Sequence, residues 1–299
     1  MSDAVPCSSI ARAGGEDILG TASTVRNWLL VEQPGPWGRD ALAESRVPTP
    51  LAAELAARSH QHSVRILLLR RVSRRGGGQH ACFVAHSGPR SPWMEHRLLP
   101  DPAGLLDLDF ALLGQGRRPG FGSAWERPLY LVCTHGRHDP CCAQFGRPVV
   151  RSLRRRLGER LWECSHLGGD RFAGNLVCLP RGDYFGLLGP DEAARVVRSY
   201  EAGTIDLDHY RGRSSLPMVV QAAEVFARRS EGLVGVDDLT VTRRRRLSPQ
   251  TVEVSFEDRG GRELDVTVRV RTSERARPLT CKAPGPSRPP TYSLVSLRA

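Results

Sequence analysis

The chain has 299 residues, of which 40% are hydrophobic and 25% are charged, a composition typical of a globular protein with room for two domains. No run approaches the ~18 uninterrupted apolar residues of a membrane helix, so we expect no membrane association. The net charge is +11, and almost all of the positively charged residues are arginines. These arginines are dispersed and lack interleaved aromatic residues, so we expect no nucleic-acid partner and favour an acidic protein partner. The N-terminus has no basic segment followed by an apolar core, which predicts a cytoplasmic protein.

The first part of the chain predicts an irregular lead-in over residues 1–20 and an N-terminal α/β domain over residues 21–122. Its strands are predicted from short apolar runs, and its first helix from an alanine-rich run that follows Pro50. The predicted elements are a strand at 26–33, a helix at 51–58, strands at 64–69 and 80–85 joined by a basic, glycine-rich turn at 74–78, and a helix at 105–113.

The second part predicts a domain over residues 123–275 in the order strand, helix, strand, hairpin, helix, which is typical of a thioredoxin-like core. These elements are predicted at 128–132, from Pro148 onward, at 161–164, at 175–188 and at 191–202. A loop at 211–217 and a helix at 218–229 follow. Because the first half has a similar order, we predict two related α/β domains side by side.

The C-terminal part predicts a β-hairpin and a loose tail. The runs at 251–256 and 264–270 alternate apolar with polar residues around a glycine-containing turn, which indicates a hairpin added to the second domain or packed beside it. The proline-rich tail at 276–299 is predicted to be loosely ordered.

Potential metal ligands are concentrated in one stretch of the second half. It begins with CTHGRHDPCC at residues 133–142 and ends with CSHLGGDRFAGN at residues 164–175. Thiol and imidazole groups gathered in two loops are the ligands that a metal ion or an iron–sulfur cluster requires. By contrast, Cys82 and Cys178 lie in apolar runs and are predicted to be buried packing residues, while Cys7 and Cys281 stand alone.

The second half resembles the sucrase/ferredoxin-like family, which includes thioredoxin-like ferredoxins. The resemblance depends on CTHGRHDPCC, on HLGGDRFAGN at 166–175, and on RGRSSLP at 211–217 with VQAAE at 220–224. The segment GTASTVRNWLLVEQPGPWG at 20–38 also looks like bacterial members, so the resemblance extends to the first half. The family name implies no action on sucrose.

The resemblance implies a [2Fe–2S] cluster, with two cysteines of the first loop on one iron and two ligands of the second loop on the other. By position these are Cys133 and Cys142, with Cys141 as an alternative to Cys142, and then His166 and Asp170. Some members have a second histidine where this chain has Asp170. A carboxylate restores negative charge and lowers the expected reduction potential. Three outcomes are open: Asp170 is the fourth ligand, Cys164 replaces it, or the cluster is lost.

The other polar residues of the first loop have simpler interpretations. His135 and His138 are predicted to be loop residues or hydrogen-bond donors near the site, and Asp139 to make a local turn bond. The chain shows no catalytic triad, phosphate loop or nucleotide fingerprint, so we predict an electron carrier with a redox protein partner. The alternatives are a thiol–disulfide oxidoreductase, a zinc protein, or a cluster-free protein with a thioredoxin fold. The chain lacks the Cys-x-x-Cys arrangement that lowers a thiol's pKa in thiol–disulfide oxidoreductases, which counts against that alternative.

Overall fold

The structure is a computed structural model of the chain and describes residues 5–72 and 78–299. Most of the turn predicted at 74–78, and the first four residues of the predicted lead-in, lie outside the described residues. The rest of the lead-in is not irregular throughout, because it contains a short helix. The helices are α1 Cys7–Ala13, α2 Thr49–His62, α3 Phe110–Gly114, α4 Pro140–Leu157, α5 Pro190–Glu201 and α6 Met218–Glu231.

One large sheet extends through both halves of the described chain. Its ten strands lie in the order β10-β9-β8-β6-β7-β2-β1-β3-β4-β5 once they are numbered along the chain. The strands are β1 Asn27–Glu32, β2 Val64–Arg71, β3 His80–His86, β4 Trp93–Leu99, β5 Ser123–Ala124, β6 Leu129–Cys133, β7 Leu161–Cys164, β8 Leu176–Leu179, β9 Asp183–Phe185 and β10 Tyr210–Arg213.

The two halves of this sheet repeat the same arrangement. In the first, β1 and β2 are parallel and connected through α2, while β3 and β4 form an antiparallel hairpin beside β1. In the second, β6 and β7 are parallel and connected through α4, while β8 and β9 form the hairpin beside β6. Parallel neighbours need such a helical crossover, whereas a hairpin needs only a turn. The predicted α/β class is confirmed; the thioredoxin-like assignment and the domain boundaries stay predictions.

The halves meet where β2 pairs antiparallel with β7, with Leu69 opposite Cys164. This contact closes the two arrangements into one sheet, whose apolar side chains form buried clusters on both faces. The predicted loop at 211–217 begins with β10, which pairs with β9 at the end of the sheet. The helix predicted at 105–113 is a 3-10 turn at Pro102–Asp107 followed by α3.

The C-terminal region forms a second, antiparallel sheet in the order β11-β12-β13-β14. Its strands are β11 Leu239–Ser248, β12 Thr251–Asp258, β13 Glu263–Thr272 and β14 Pro290–Arg298. The predicted hairpin is therefore present as β12 and β13, packed beside the large sheet. The expectation of a loose tail is wrong, because β14 pairs along the length of β13. The sequence before β14 is rich in proline, and this concealed a strand whose paired residues on β13 lie 18 or more residues earlier in the chain.

Helix α4 begins earlier than the sequence predicted. Asp139 caps it by accepting a 2.8 Å hydrogen bond from the backbone N–H of Cys141, and Pro140 occupies the first turn, where a missing N–H costs nothing. Pro148 is inside the helix rather than at its start. The consequence is that Cys141 and Cys142 lie on the first helical turn.

In the part of the chain that the structure describes, no helix combines the length and the apolar character that crossing a bilayer requires.

Candidate metal centre

The two thiols predicted to bind metal meet at the carboxyl end of β6. Cys133 is the last residue of this strand, and the chain returns through a short loop to place Cys142 on the first turn of α4. The helix passes so close to the strand that a Cβ on Gly146 would overlap the carbonyl oxygen of Cys133. Both cysteines are 1% exposed. A glycine at this crossing therefore lets the helix approach β6 and bring the two sulfurs together.

His166 and Asp170 join the thiols from the loop that follows β7. The ligand atoms of Cys133, Cys142 and His166 all lie within 4.8 Å of one another. Asp170 Oδ1 is 3.0 Å from His166 Nδ1 and 3.3 Å from Cys142 Sγ, while His166 Nδ1 is 3.9 Å from Cys142 Sγ. The structure thus gathers all four predicted residues in one place.

A buried arginine fixes the shape of this second loop. Gly168 and Gly169 have φ angles of 94° and 79°, which L side chains rarely adopt, so they turn the chain between His166 and Asp170. Arg211, on β10, donates to the carbonyl oxygen of Gly168 at 3.0 Å and to Asn175 Oδ1 at 2.8 Å. Because the guanidinium is enclosed, the loop has little freedom to move the two ligands apart.

The electrostatics of the thiol pair favour one negative charge. The hydrogen bond with Cys142 lowers the pKa of Cys133, and His166 and the backbone N–H of His135 add to the effect and outweigh burial. The same hydrogen bond, together with burial, raises the pKa of Cys142. Burial also raises the pKa of Asp170. A cation at this position would supply the positive charge that the second thiolate needs.

His138 is a further candidate ligand whose position the sequence did not indicate. Its ring stacks on that of His166 with centroids 3.8 Å apart, and its Nε2 lies 3.9 Å from Asp170 Oδ2. With His166 and Asp170 it forms a second group of ligand atoms within 4.8 Å. His135 is in neither of these two groups and instead forms a 2.7 Å hydrogen bond with the carbonyl oxygen of Gly38. The sequence does show that His138 lies in the same loop as Cys133. The spacing of the residues, however, could not distinguish His138 from His135 as the candidate ligand.

The two alternative ligands take other positions. Cys141 directs its sulfur toward Cys7, at 3.6 Å, rather than toward His166. Cys164 ends β7 opposite Cys133, fully buried, and burial raises its pKa. Among the described residues, no group of ligand atoms within 4.8 Å includes Cys164. The geometry therefore favours Cys142 over Cys141, and Asp170 over Cys164.

A family of known proteins matches the part of the chain that contains these residues. The sequence profile described as "Sucrase/ferredoxin-like" matches residues 18–212, more than half of the chain. The chain belongs to the sucrase/ferredoxin-like family. The matched region contains both ligand loops and extends through the first half of the large sheet, so the family relation is not confined to the cysteine-rich stretch. No solved structure matches the chain.

Two curated relatives of this sucrase/ferredoxin-like protein carry the name "Altered inheritance of mitochondria protein 32". That of Meyerozyma guilliermondii is 30% identical over 95 residues, which are 28% of this chain and 34% of the relative. That of Debaryomyces hansenii is 28% identical over 97 residues, which are 29% of this chain and 36% of the relative. The match thus spans about a third of the length of each relative.

The centre of this sucrase/ferredoxin-like protein opens to one side. The side chains of His138 and His166 are 35% and 22% exposed, in contrast to the enclosed cysteines. Both histidines line an open cavity of about 810 Å³ that also contains Arg39 and Arg65. The imidazole side of the centre is therefore the side that another molecule can reach.

Proposed function

We propose that the protein is an electron carrier that holds a [2Fe–2S] cluster on Cys133, Cys142, His166 and Asp170. The supporting observation is the convergence of two buried thiols and one imidazole, all within 4.8 Å, with the carboxylate of Asp170 in contact with both ligand types. Such a cluster supplies reversible one-electron chemistry.

The donor set fits this cofactor. Two thiolates suit one ferric ion, and an imidazole can replace a thiolate on the other, which raises the reduction potential. Asp170 supplies the remaining negative charge, and its contact with the imidazole nitrogen of His166 is short enough for both to bind one metal. The separations of 3.3 Å and 3.9 Å from Cys142 Sγ to Asp170 Oδ1 and His166 Nδ1 are short for ligands of two different irons, so binding of the cluster would require Cys142 and the second loop to move apart.

The protein surroundings support transfer of electrons through the histidines. The cysteine side is enclosed by β6 and α4, whereas the rings of His138 and His166 border the 810 Å³ cavity. Arg65 donates a 2.7 Å hydrogen bond to the carbonyl oxygen of His166 and lines the same cavity. Arg39 and Arg65 at this opening are matched by Asp40 and Glu44, so it is the net charge of +11 of the whole chain that would attract an acidic redox partner by long-range charge. We propose that this partner docks there, and that the exchange takes place in the cytoplasm.

Anaerobic purification with iron and sulfide analysis tests the proposal. The wild-type protein should contain about two irons and two sulfides per chain, show visible bands that bleach on dithionite, and give an electron-paramagnetic-resonance signal when reduced. Cys133→Ser and His166→Ala should lose most of the iron. Cys178→Ala is the matched control, because Cys178 is equally buried but lies in a different apolar cluster.

The fourth ligand is resolved by a further set of variants. Asp170→Ala should lose the cluster, while Cys164→Ala and His138→Ala should keep it. If Cys133→Ser and His166→Ala both keep full iron, the proposed ligand set is wrong. If Asp170→Ala keeps its iron and His138→Ala does not, His138 must replace Asp170 in the set.

A mononuclear zinc site at the same residues is the second candidate. The separations of 3.3 Å and 3.9 Å from Cys142 Sγ to Asp170 and His166 are those of ligands around a single ion. A colourless protein that contains zinc, and that loses it in Cys133→Ser, would establish this alternative. A thiol–disulfide oxidoreductase is less well supported, because Cys133 is 1% exposed and a disulfide substrate must reach the attacking sulfur.

A further inference from the structure

A second group of thiols lies beside the candidate metal centre. Cys7 from α1, Cys141 from α4 and Cys281 from the loop before β14 bring their sulfurs to 3.3, 3.5 and 3.6 Å from one another. All three are free thiols. The separations exceed the S–S bond of about 2.05 Å. They approach the spacing of about 3.8 Å between sulfurs on one tetrahedral zinc ion with Zn–S bonds of about 2.3 Å.

Asp139 completes the group. Its carboxylate is within 4.8 Å of the three sulfurs, and it orients two of the segments that carry them. Oδ2 accepts hydrogen bonds from the backbone N–H of Cys281 at 2.6 Å and from Thr280 Oγ1 at 2.7 Å, while Oδ1 accepts the Cys141 N–H. Three sulfurs with one carboxylate form a ligand set that zinc accepts.

The arrangement differs from ordinary packing of cysteines. Cys82 and Cys178 lie inside large apolar clusters, as buried packing residues do. The three-thiol group instead lies at the edge of the fold, where Cys281 is exposed and would give an ion access to Cys7 and Cys141. The adjacent cysteines 141 and 142 thus direct their sulfurs to two different groups, which gives each member of the pair a separate role.

The location gives the group a structural consequence. Its three sulfurs come from segments separated by 134, 140 and 274 residues along the chain. The N-terminal segment is also held here by a 2.7 Å hydrogen bond from Ser8 Oγ to the carbonyl oxygen of Ala173 and by ion pairs of Glu16 with Arg171 and Arg277. An ion at this point would fasten the N-terminal helix and the segment before β14 to the helix that carries Cys142.

We propose that Cys7, Cys141, Cys281 and Asp139 bind one structural zinc ion. Each thiol that binds the ion releases its proton to solvent, and no oxidant or reductant takes part. The inference does not depend on the electron-carrier proposal, because the two groups share no ligand. Zinc is the expected occupant here, and iron is the expected occupant of the other group.

Metal analysis of the full-length protein, produced in medium that contains zinc, tests the proposal. The wild type should hold about one zinc ion per chain at these residues. The double variant Cys7→Ala/Cys281→Ala should fall to near zero zinc with its iron content and visible spectrum unchanged. Cys178→Ala, which removes a buried thiol outside the group, should keep both metals. A strong zinc chelator should lower the Tm of the wild type by several degrees and leave that of the double variant unchanged.

Three results would overturn the proposal. One is a wild-type protein that takes up no zinc even when titrated with zinc salt under reducing conditions. Another is zinc that the double variant retains but Cys133→Ser loses, which would assign the ion to the other group. The third is a disulfide between two of the three cysteines in protein alkylated under anaerobic conditions. If the double variant does not fold, Cys281→Ser alone decides the matter, because that residue is exposed and its loss of zinc can be measured in folded protein.

Discussion

The loop that carries His166 and Asp170 should be unusually sensitive to a single methyl group at Gly169. Gly169 has a φ of 79°, a backbone conformation that destabilises an alanine by about 1–2 kcal/mol. In addition, a Cβ at Gly169 would overlap Nη2 of Arg211. This guanidinium cannot move away cheaply, because it is enclosed and donates to Gly168, Asn175 and Thr21. A buried hydrogen bond from a charged group contributes about 1.5–3 kcal/mol, so displacing even one brings the total for Gly169→Ala to about 3 kcal/mol or more.

Gly203→Ala is the matched control for this substitution. Gly203 has a φ of 78°, and a Cβ built there meets nothing within 4 Å, so its alanine variant carries the same backbone cost alone, about 1–2 kcal/mol. Urea unfolding gives the free energy of unfolding of both variants, and iron analysis shows whether Gly169→Ala also impairs the metal centre, as we expect. A loss of stability in Gly169→Ala no greater than in Gly203→Ala would refute the reasoning, because it would mean that Arg211 is not held in place.

Three further predictions concern the two cores and the stability at low pH. Asp183→Asn should cost about 3 kcal/mol in urea unfolding, because it removes the carboxylate charge 3.3 Å from the buried Arg213 and leaves Glu224, 3.8 Å away, as the remaining charged partner of that guanidinium. Burial would raise the pKa of Asp183, but Arg213 and Arg181, with hydrogen bonds from two tyrosines, hold that pKa below the usual value for an aspartate. The stabilising contribution of the Asp183 carboxylate should therefore be complete above pH ~4 and be lost as the pH falls through the lowered pKa. In acid titrations, the difference in the free energy of unfolding between wild type and Asp183→Asn should accordingly shrink. Phe256→Ala should lower the free energy of unfolding by about 3–5 kcal/mol, because it leaves a cavity between the second sheet and α6. A decrease below about 1 kcal/mol would show that this interface is not packed.

The predicted elements that succeeded are those whose signal is local. The apolar runs at β1, β2, β3, β6 and β7 are short and bounded by polar or glycine-rich residues, so their periodicity was enough to place them. The start of α4 was missed because Pro148 was taken as a first-turn residue, whereas the helix begins eight residues earlier at Pro140, capped by Asp139. The strand β14 was missed because its pairing with β13, rather than its composition, makes it a strand.

The candidate site also has a part that the sequence predicted and a part that only the folded chain determined. Cys133, Cys142, His166 and Asp170 could be named from sequence because two short motifs contain them, and a strand–helix–strand unit returns those motifs to one edge of the sheet. The role of His138 depended on which way its ring turned, and only the folded loop determined this.

The amino-acid sequence by itself determined the α/β class, the family and the four residues of the candidate centre, because each is encoded within a few turns of chain. Only the tertiary structure joined the two halves through β2 and β7, and brought Cys7 and Cys281, which stand alone in the sequence, to the sulfur of Cys141. Contacts between segments more than 90 residues apart depend on how completed elements pack. No local pattern records that packing.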